Sequence, residues 1–227
     1  MRESDAPIDL CLEVLRRLDK AGVLRGLVLI GSWCAYFYPD YFGGETTLSP
    51  LRTRDIDFLI PTPLKIEGEI RVSELLADLG FVPDRFGEGC VRLTHPELII
   101  DFLVAEKGRG TDKPYPVKAL GIKAQPLRFV SLLSDDVVEV KSRGLCMTLP
   151  HPVNFGLQKL IISGRRAGED KGAKDRLQAV EVLRAVIDHG DADVIRRKFR
   201  ALPAGWRKSV LDGLKMTGAD DLRALLI

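Results

Sequence analysis

At 227 residues, 45% hydrophobic and 29% charged, the chain is long enough to bury a substantial core as one large domain or two small ones, the profile of an ordinary globular protein. The 34 Lys and Arg against 32 Asp and Glu leave a formal charge of +2. That balance neither demands nor excludes a nucleic-acid partner, and any basic surface has to come from local clustering. Cys11, Cys34, Cys90 and Cys146 stand singly, without zinc-site spacing or the density of a disulfide scaffold, and are expected as reduced core thiols. The Met-Arg-Glu-Ser-Asp start lacks an apolar signal region, and no apolar run approaches the roughly 18 residues of a membrane span, so a cytoplasmic protein with no membrane partner is expected.

The apolar positions of residues 8–21 keep helical spacing and stop at Gly22. Leu27-Val28-Leu29-Ile30 is a short branched apolar run that suits a buried strand and ends at Gly31-Ser32. Residues 33–38 suit a helix that Pro39 and then Gly43-Gly44 break, and residues 45–54 suit a polar loop. Asp55-Ile56-Asp57-Phe58-Leu59-Ile60 is a second strand stopped by Pro61 and Pro63, and residues 72–79 predict a helix closed by Gly80. Residues 91–94 and 97–104 flank His95-Pro96 as a hairpin, and residues 127–132 and 137–149 predict two further strands. Past Pro152 the pattern turns helical, with helices at about 153–166, 171–189, 192–202 and 206–216 and a last one from Asp220. The expectation is an α+β fold: a mixed-sheet domain over residues 1–150, then a helical domain over 151–227.

Two carboxylates two apart on a strand, Asp55 and Asp57, project from one face while Ile56 and Phe58 point to the other. Such a pair repels itself unless a cation compensates, and Mg²⁺ takes one or two carboxylates together with substrate phosphates. Taken alone, the triplet also suits a strand that begins at a solvated edge. Asp101 is a lone acid inside the apolar run 98–104, and an acid in that setting needs a partner. The Gly31-Ser32 turn, where a buried strand meets a helix, can offer backbone N–H groups and a hydroxyl to phosphate oxygens. His95, His151 and His189 lack metal-ligand spacing, and neither a nucleophile elbow nor a Walker loop occurs, which sets aside hydrolase-triad and P-loop chemistry.

In order along the chain, Ile30-Gly31-Ser32, Asp55-Ile56-Asp57-Phe58 and Asp101 resemble the signature of the DNA polymerase beta-type nucleotidyltransferase superfamily, over about residues 8–104. The gap between Ser32 and Asp55 holds 22 residues, about twice the compact pattern, and an insertion at residues 39–51 accounts for it. Arg52-Thr53-Arg54 resembles the approach to this motif in bacterial toxin-type nucleotidyltransferases of abortive-infection systems. Residues 152–159 and 171–178 resemble the helices that follow the core in those proteins.

This resemblance implies a mixed-sheet nucleotidyltransferase core, Mg²⁺ (or Mn²⁺) as cofactor and a nucleoside triphosphate as substrate. Asp55 and Asp57 are expected to hold the nucleotide-side metal. Asp101 is expected to help ligate a second one and to favour deprotonation of the acceptor hydroxyl. Gly31 and Ser32 are expected to bind phosphate, with Lys159, Lys171 and Lys174, helped by Arg165 and Arg166, facing the triphosphate. The implied reaction moves a nucleoside monophosphate to a hydroxyl of an RNA, a protein or a small molecule, as a toxin with an antitoxin partner in one version. The alternative is a non-catalytic nucleotide-binding or regulatory module on the same fold. A surplus of bases, 12 Lys and Arg against 7 Asp and Glu over residues 165–208, suits either a polyanionic partner or plain solubility.

Overall fold

The computed structural model describes residues 6–44, 46–49, 53–106 and 113–227. The first apolar stripe folds as helix α1, Ala6–Lys20, which buries Cys11, Leu12, Val14, Leu15 and Leu18. The strands that follow are β1 (Val28–Ile30), β2 (Asp55–Leu59), β3 (Val82–Phe86), β4 (Cys90–Thr94), β5 (Ile99–Ala105), β6 (Tyr115–Val117), β7 (Ile122–Leu127), β8 (Val137–Ser142) and β9 (Leu145–Pro150). Among the described residues they form one sheet in the order β3-β4-β5-β2-β1-β9-β8, with β7 joining β5 and β6 to it. The sheet is mixed: β2 runs antiparallel to β1 and parallel to β5, and β1 runs parallel to β9. With helices flanking the sheet and a helical region after it, the fold is α+β.

Alternation along β2 decides what each face of this sheet carries. Ile56 and Phe58 are fully buried on one face, where Phe58 stacks against Phe102 of β5 at 6.0 Å between ring centroids. The other face carries Asp55 and Asp57 at the start of the strand and Leu59 at its end. Leu59 joins Val28, Ile30, Leu103, Val130 and Leu133 in a buried cluster. Helix α4, Ser131–Asp135, supplies Leu133 to this cover. One face is therefore closed with hydrocarbon at one end and carries its acids at the other.

Several elements differ from expectation. Residues 127–132 do not form a strand: β7 ends at Leu127 and α4 follows, because Val130 and Leu133 lie three apart and put a helical face, not an extended one, onto the sheet. Residues 137–149 are two strands, β8 and β9, parted where Arg143 (φ 49°) and Gly144 (φ 79°) turn the chain. The helix over 72–79 splits into α3, Val72–Leu75, and a separate 3₁₀ turn at Ala77–Leu79. Strand β3 carries no sequence signal, since Val-Pro-Asp-Arg-Phe is polar and holds a proline. It lies at the end of the sheet order, where an unpaired edge tolerates both.

The chain divides into two compact units: the described residues of Met1–Cys34 with Leu51–Leu149, and those of Ala35–Pro50 with Pro150–Ile227. The second unit holds α5 (Pro152–Ser163), α6 (Glu169–Asp188), α7 (Ala192–Ala201), α8 (Ala204–Thr217) and α9 (Asp220–Leu226). Pro152 opens α5 at a position where its missing N–H costs nothing, and the His151 ring nitrogen accepts a hydrogen bond from the Val153 amide at 3.2 Å. Helix α5 is buried on nearly every side, as the central helix of a bundle must be. Gly156 lets α6 come close, because a Cβ there would stand 2.7 Å from Leu183 Cγ.

Helix α2, Trp33–Tyr41, runs through Pro39, where a break is expected. The lost amide donor is offset by ring contacts on either side: Tyr38 meets Phe42 at 6.4 Å and Phe155 at 5.5 Å, and its hydroxyl donates to the Pro150 carbonyl at 2.9 Å. Residues 35–44 thus pack with the helices, whereas a cut at residue 150 assigns them to the sheet domain. All four cysteines are free, three of them buried. No helix among the described residues is long and apolar enough to cross a membrane.

Candidate active site

Strand pairing brings the separated motif residues into one place. In the antiparallel β1–β2 ladder Ile30 stands opposite Asp57, and in the parallel β2–β5 ladder Asp57 stands beside Asp101. Directly paired residues share a face, so Asp55, Asp57 and Asp101 occupy the same side of the sheet. Asp55 is exposed, whereas Asp57 and Asp101 are half-buried.

Gly31 and Ser32 make the turn from β1 to α2, closed by the Cys34 amide donating to the Gly31 carbonyl at 3.2 Å. Gly31 has φ +74°, and a Cβ at this position would lie 2.3 Å from Asp57 Oδ2. Both facts require glycine: the backbone is left-handed, and the Asp57 carboxylate rests against the Gly31 Cα. The first two parts of the motif are therefore in direct contact across 22 intervening residues.

Asp101 is held from the other side. Arg92 lies opposite it in the β4–β5 ladder and donates twice, Nε to Oδ1 at 3.0 Å and Nη2 to Oδ2 at 3.4 Å. The same guanidinium lies 4.3 Å from the centroid of the Phe86 ring. Burial raises the Asp101 carboxyl above the usual carboxylate value, against the lowering pull of Arg92, and the nearby Asp55 charge adds to the rise. Arg92 was not among the expected site residues. The signal for it was present: with residues 95–98 turning the hairpin, the position opposite Asp101 is 92.

The remaining expected residues lie in the helical unit or at the motif's approach. Lys159 is buried with its Nζ 2.5 Å from Asp175 Oδ1 and 5.5 Å from the Phe155 ring centroid, so its ammonium is engaged by a carboxylate. Asp175 also accepts from Arg166 Nε at 2.7 Å. Lys171 is exposed and Lys174 half-buried on α6. Arg165 donates to the Ile161 carbonyl. Arg52 lies outside the described residues. Arg54 donates to the Pro96 and Glu97 carbonyls, which ties the approach to β2 onto the β4–β5 turn.

Hard carboxylate oxygens suit Mg²⁺, which keeps several waters and needs only one or two protein carboxylates besides phosphate. Asp55 and Asp57 meet that requirement as a donor set. Among the described residues no three acid, imidazole or thiol side chains stand close enough to cage a metal by themselves. The engagement of Asp101 by Arg92 is in keeping with this.

Residues 10–202 match a protein-family model described as "Nucleotidyltransferase". The chain belongs to that nucleotidyltransferase family. Among solved structures, the antigenic nucleotidyltransferase-like protein from Paracoccidioides brasiliensis is similar at a TM-score of 0.51 and 12% identity. The match covers 100% of this chain and 94% of that one, and the likeness is one of fold. The antibiotic-resistance factor ANT(2'')-Ia, in its solution structure, is similar at a TM-score of 0.42 and 12% identity, covering 96% of this chain and 88% of its own. No curated protein matches the chain significantly. For a nucleotidyltransferase, the face that carries Gly31, Asp55, Asp57 and Asp101 is the candidate active site.

Proposed function

We propose that this nucleotidyltransferase moves a nucleoside monophosphate from a nucleoside triphosphate to an acceptor hydroxyl, on the sheet face that carries Asp55, Asp57 and Asp101. The chief support is the contact between Gly31 and Asp57, which joins the Gly31-Ser32 turn to a carboxylate, with Asp101 in register one strand away. Divalent Mg²⁺ or Mn²⁺, held by Asp55 and Asp57, would supply charge neutralisation at the attacked α-phosphate and the leaving pyrophosphate. Ser32 and the backbone beside it bind the outer phosphates, where N–H groups and a hydroxyl replace water.

Asp101 accepts the proton of the acceptor hydroxyl at its carboxylate oxygen. Asp57→Asn keeps the size of the side chain and removes its charge. It is expected to lower transfer by about a thousandfold or more while the protein melts as a folded chain. Incubation with each labelled triphosphate and Mg²⁺, offering RNA, protein and small hydroxylated acceptors in turn, measures this. Undiminished transfer by Asp57→Asn overturns the proposal.

A further inference from the structure

Both oxygens of the Asp101 carboxylate accept hydrogen bonds from one guanidinium, and that guanidinium is itself fixed on two sides. It lies against the Phe86 ring at 4.3 Å, and it projects from the residue directly opposite Asp101 in the β4–β5 ladder. The pair is half-buried, with 30% of the Arg92 side chain and 16% of the Asp101 side chain exposed. A guanidinium so placed has lost most of its rotamer freedom before it meets the carboxylate, and two parallel donors set the carboxylate plane as well as its position.

The charge arithmetic of the face has a second side. Asp55, Asp57 and Asp101 bring three negative charges to one side of the sheet, and Arg92 returns one positive charge to it. A divalent cation that approaches Asp57 and Asp101 meets that fixed positive charge and competes with it for the Asp101 oxygens. Resting on the nucleotidyl-transfer reading above, we infer that Arg92 is a positioning residue for Asp101 and sets how tightly the aspartates take a divalent cation. It keeps Asp101 aimed for proton transfer and keeps cation affinity low until nucleotide phosphates arrive with charge of their own.

The test is Mn²⁺ binding to the full chain without nucleotide, read by the electron paramagnetic resonance of free Mn²⁺, in the wild type, Arg92→Gln, Arg92→Lys and Asp57→Asn. Thermal melting shows that each variant is folded. Arg92→Gln, which removes the charge, is expected to bind Mn²⁺ about five- to tenfold more tightly and, with triphosphate present, to turn over more slowly at an unchanged KM for the triphosphate. Arg92→Lys keeps the charge and loses the fork, so its Mn²⁺ affinity should stay near that of the wild type while turnover falls. A guanidinium that only staples β4 to β5 would lower the melting temperature and leave Mn²⁺ affinity unmoved. Equal or weaker Mn²⁺ binding by folded Arg92→Gln, beside a wild type whose binding is lost in Asp57→Asn, overturns the role of Arg92 alone. A wild type that binds no Mn²⁺ with or without triphosphate overturns the transfer reading and this inference together.

Discussion

Two aspartates in this molecule are each gripped by basic side chains, and they serve opposite ends. Asp175, in the helical unit, has only 6% of its side chain exposed and accepts from both Lys159 and Arg166. Asp101, on the sheet, keeps 16% exposed, has a single base and shares its face with two further acids. In the first case a buried Lys159 and an exposed Arg166 answer one buried anion, and the charge is consumed in holding α5 to α6. In the second, Arg92 answers Asp101 on a more open face that Asp55 and Asp57 share. An acid flanked by bases is thus no guide to function until the local charge balance and the route to solvent are known.

The largest effect that would sharpen this contrast is expected at the buried pair. Asp175→Asn leaves the Lys159 ammonium without its counter-charge and should cost about 3–5 kcal/mol, measured by urea unfolding, with any loss of transfer tracking the unfolded fraction. A cost below about 1 kcal/mol would place Asp175 with the exposed pairs and dissolve the distinction. Next comes Gly31→Ala, which strains a left-handed residue and drives a methyl group into Asp57 Oδ2. A cost of about 1–3 kcal/mol is expected, with transfer lost beyond what stability explains.

Asp101→Asn should change stability at neutral pH by no more than about 1 kcal/mol, the reverse of Asp175→Asn, while transfer is lost. Its pH dependence has a definite sign. The folded state holds the Asp101 proton more tightly than the unfolded chain does, so wild-type stability falls relative to Asp101→Asn as pH rises through the interval between the two values, and the difference is constant above it. Parallel melts from acid to neutral pH check this.

The smallest effect belongs to an exposed pair, Arg184 on α6 with Asp221 on α9, joined by two hydrogen bonds at 3.0 and 2.9 Å. The hydrogen bonds from Arg184 hold the Asp221 carboxyl below its ordinary value. The pair's contribution is therefore present at neutral pH and fades as pH falls below the usual carboxylate range through the folded value. Arg184→Ala is expected to cost about 0.2–1 kcal/mol at neutral pH, a difference that disappears in acid.

Much of this was legible in the chain. The hairpin around His95-Pro96, the strand at Asp55 and the helices after Pro152 follow from apolar periodicity and from proline, which act over a few residues. The alignment of Asp57 with Asp101 is a register between strands more than 40 positions apart, and no local pattern fixes it. For the same reason the sequence points to Lys159 as a free cation, since only the packing of α5 on α6 reveals that Asp175 is waiting for it. Strand β3 is hidden because an edge asks nothing of its side chains beyond avoiding aggregation. Helix α2 is misjudged because part of what offsets Pro39, the Phe155 ring and the Pro150 carbonyl that meet Tyr38, comes from residues distant in sequence.

The junction of Gly31 with Asp57 also bears on how this chain tolerates change. Because β1 and β2 are zipped antiparallel, the two halves of the motif are aligned by the ladder, and the stretch that joins them, α2 included, has its ends already pinned. Lengthening such a connection carries only a logarithmic entropic penalty, about 0.6 kcal/mol for each doubling. The segment carried there packs its rings, Tyr38, Tyr41 and Phe42, with the helices, while the β1–β2 ladder alone keeps Gly31 beside Asp57.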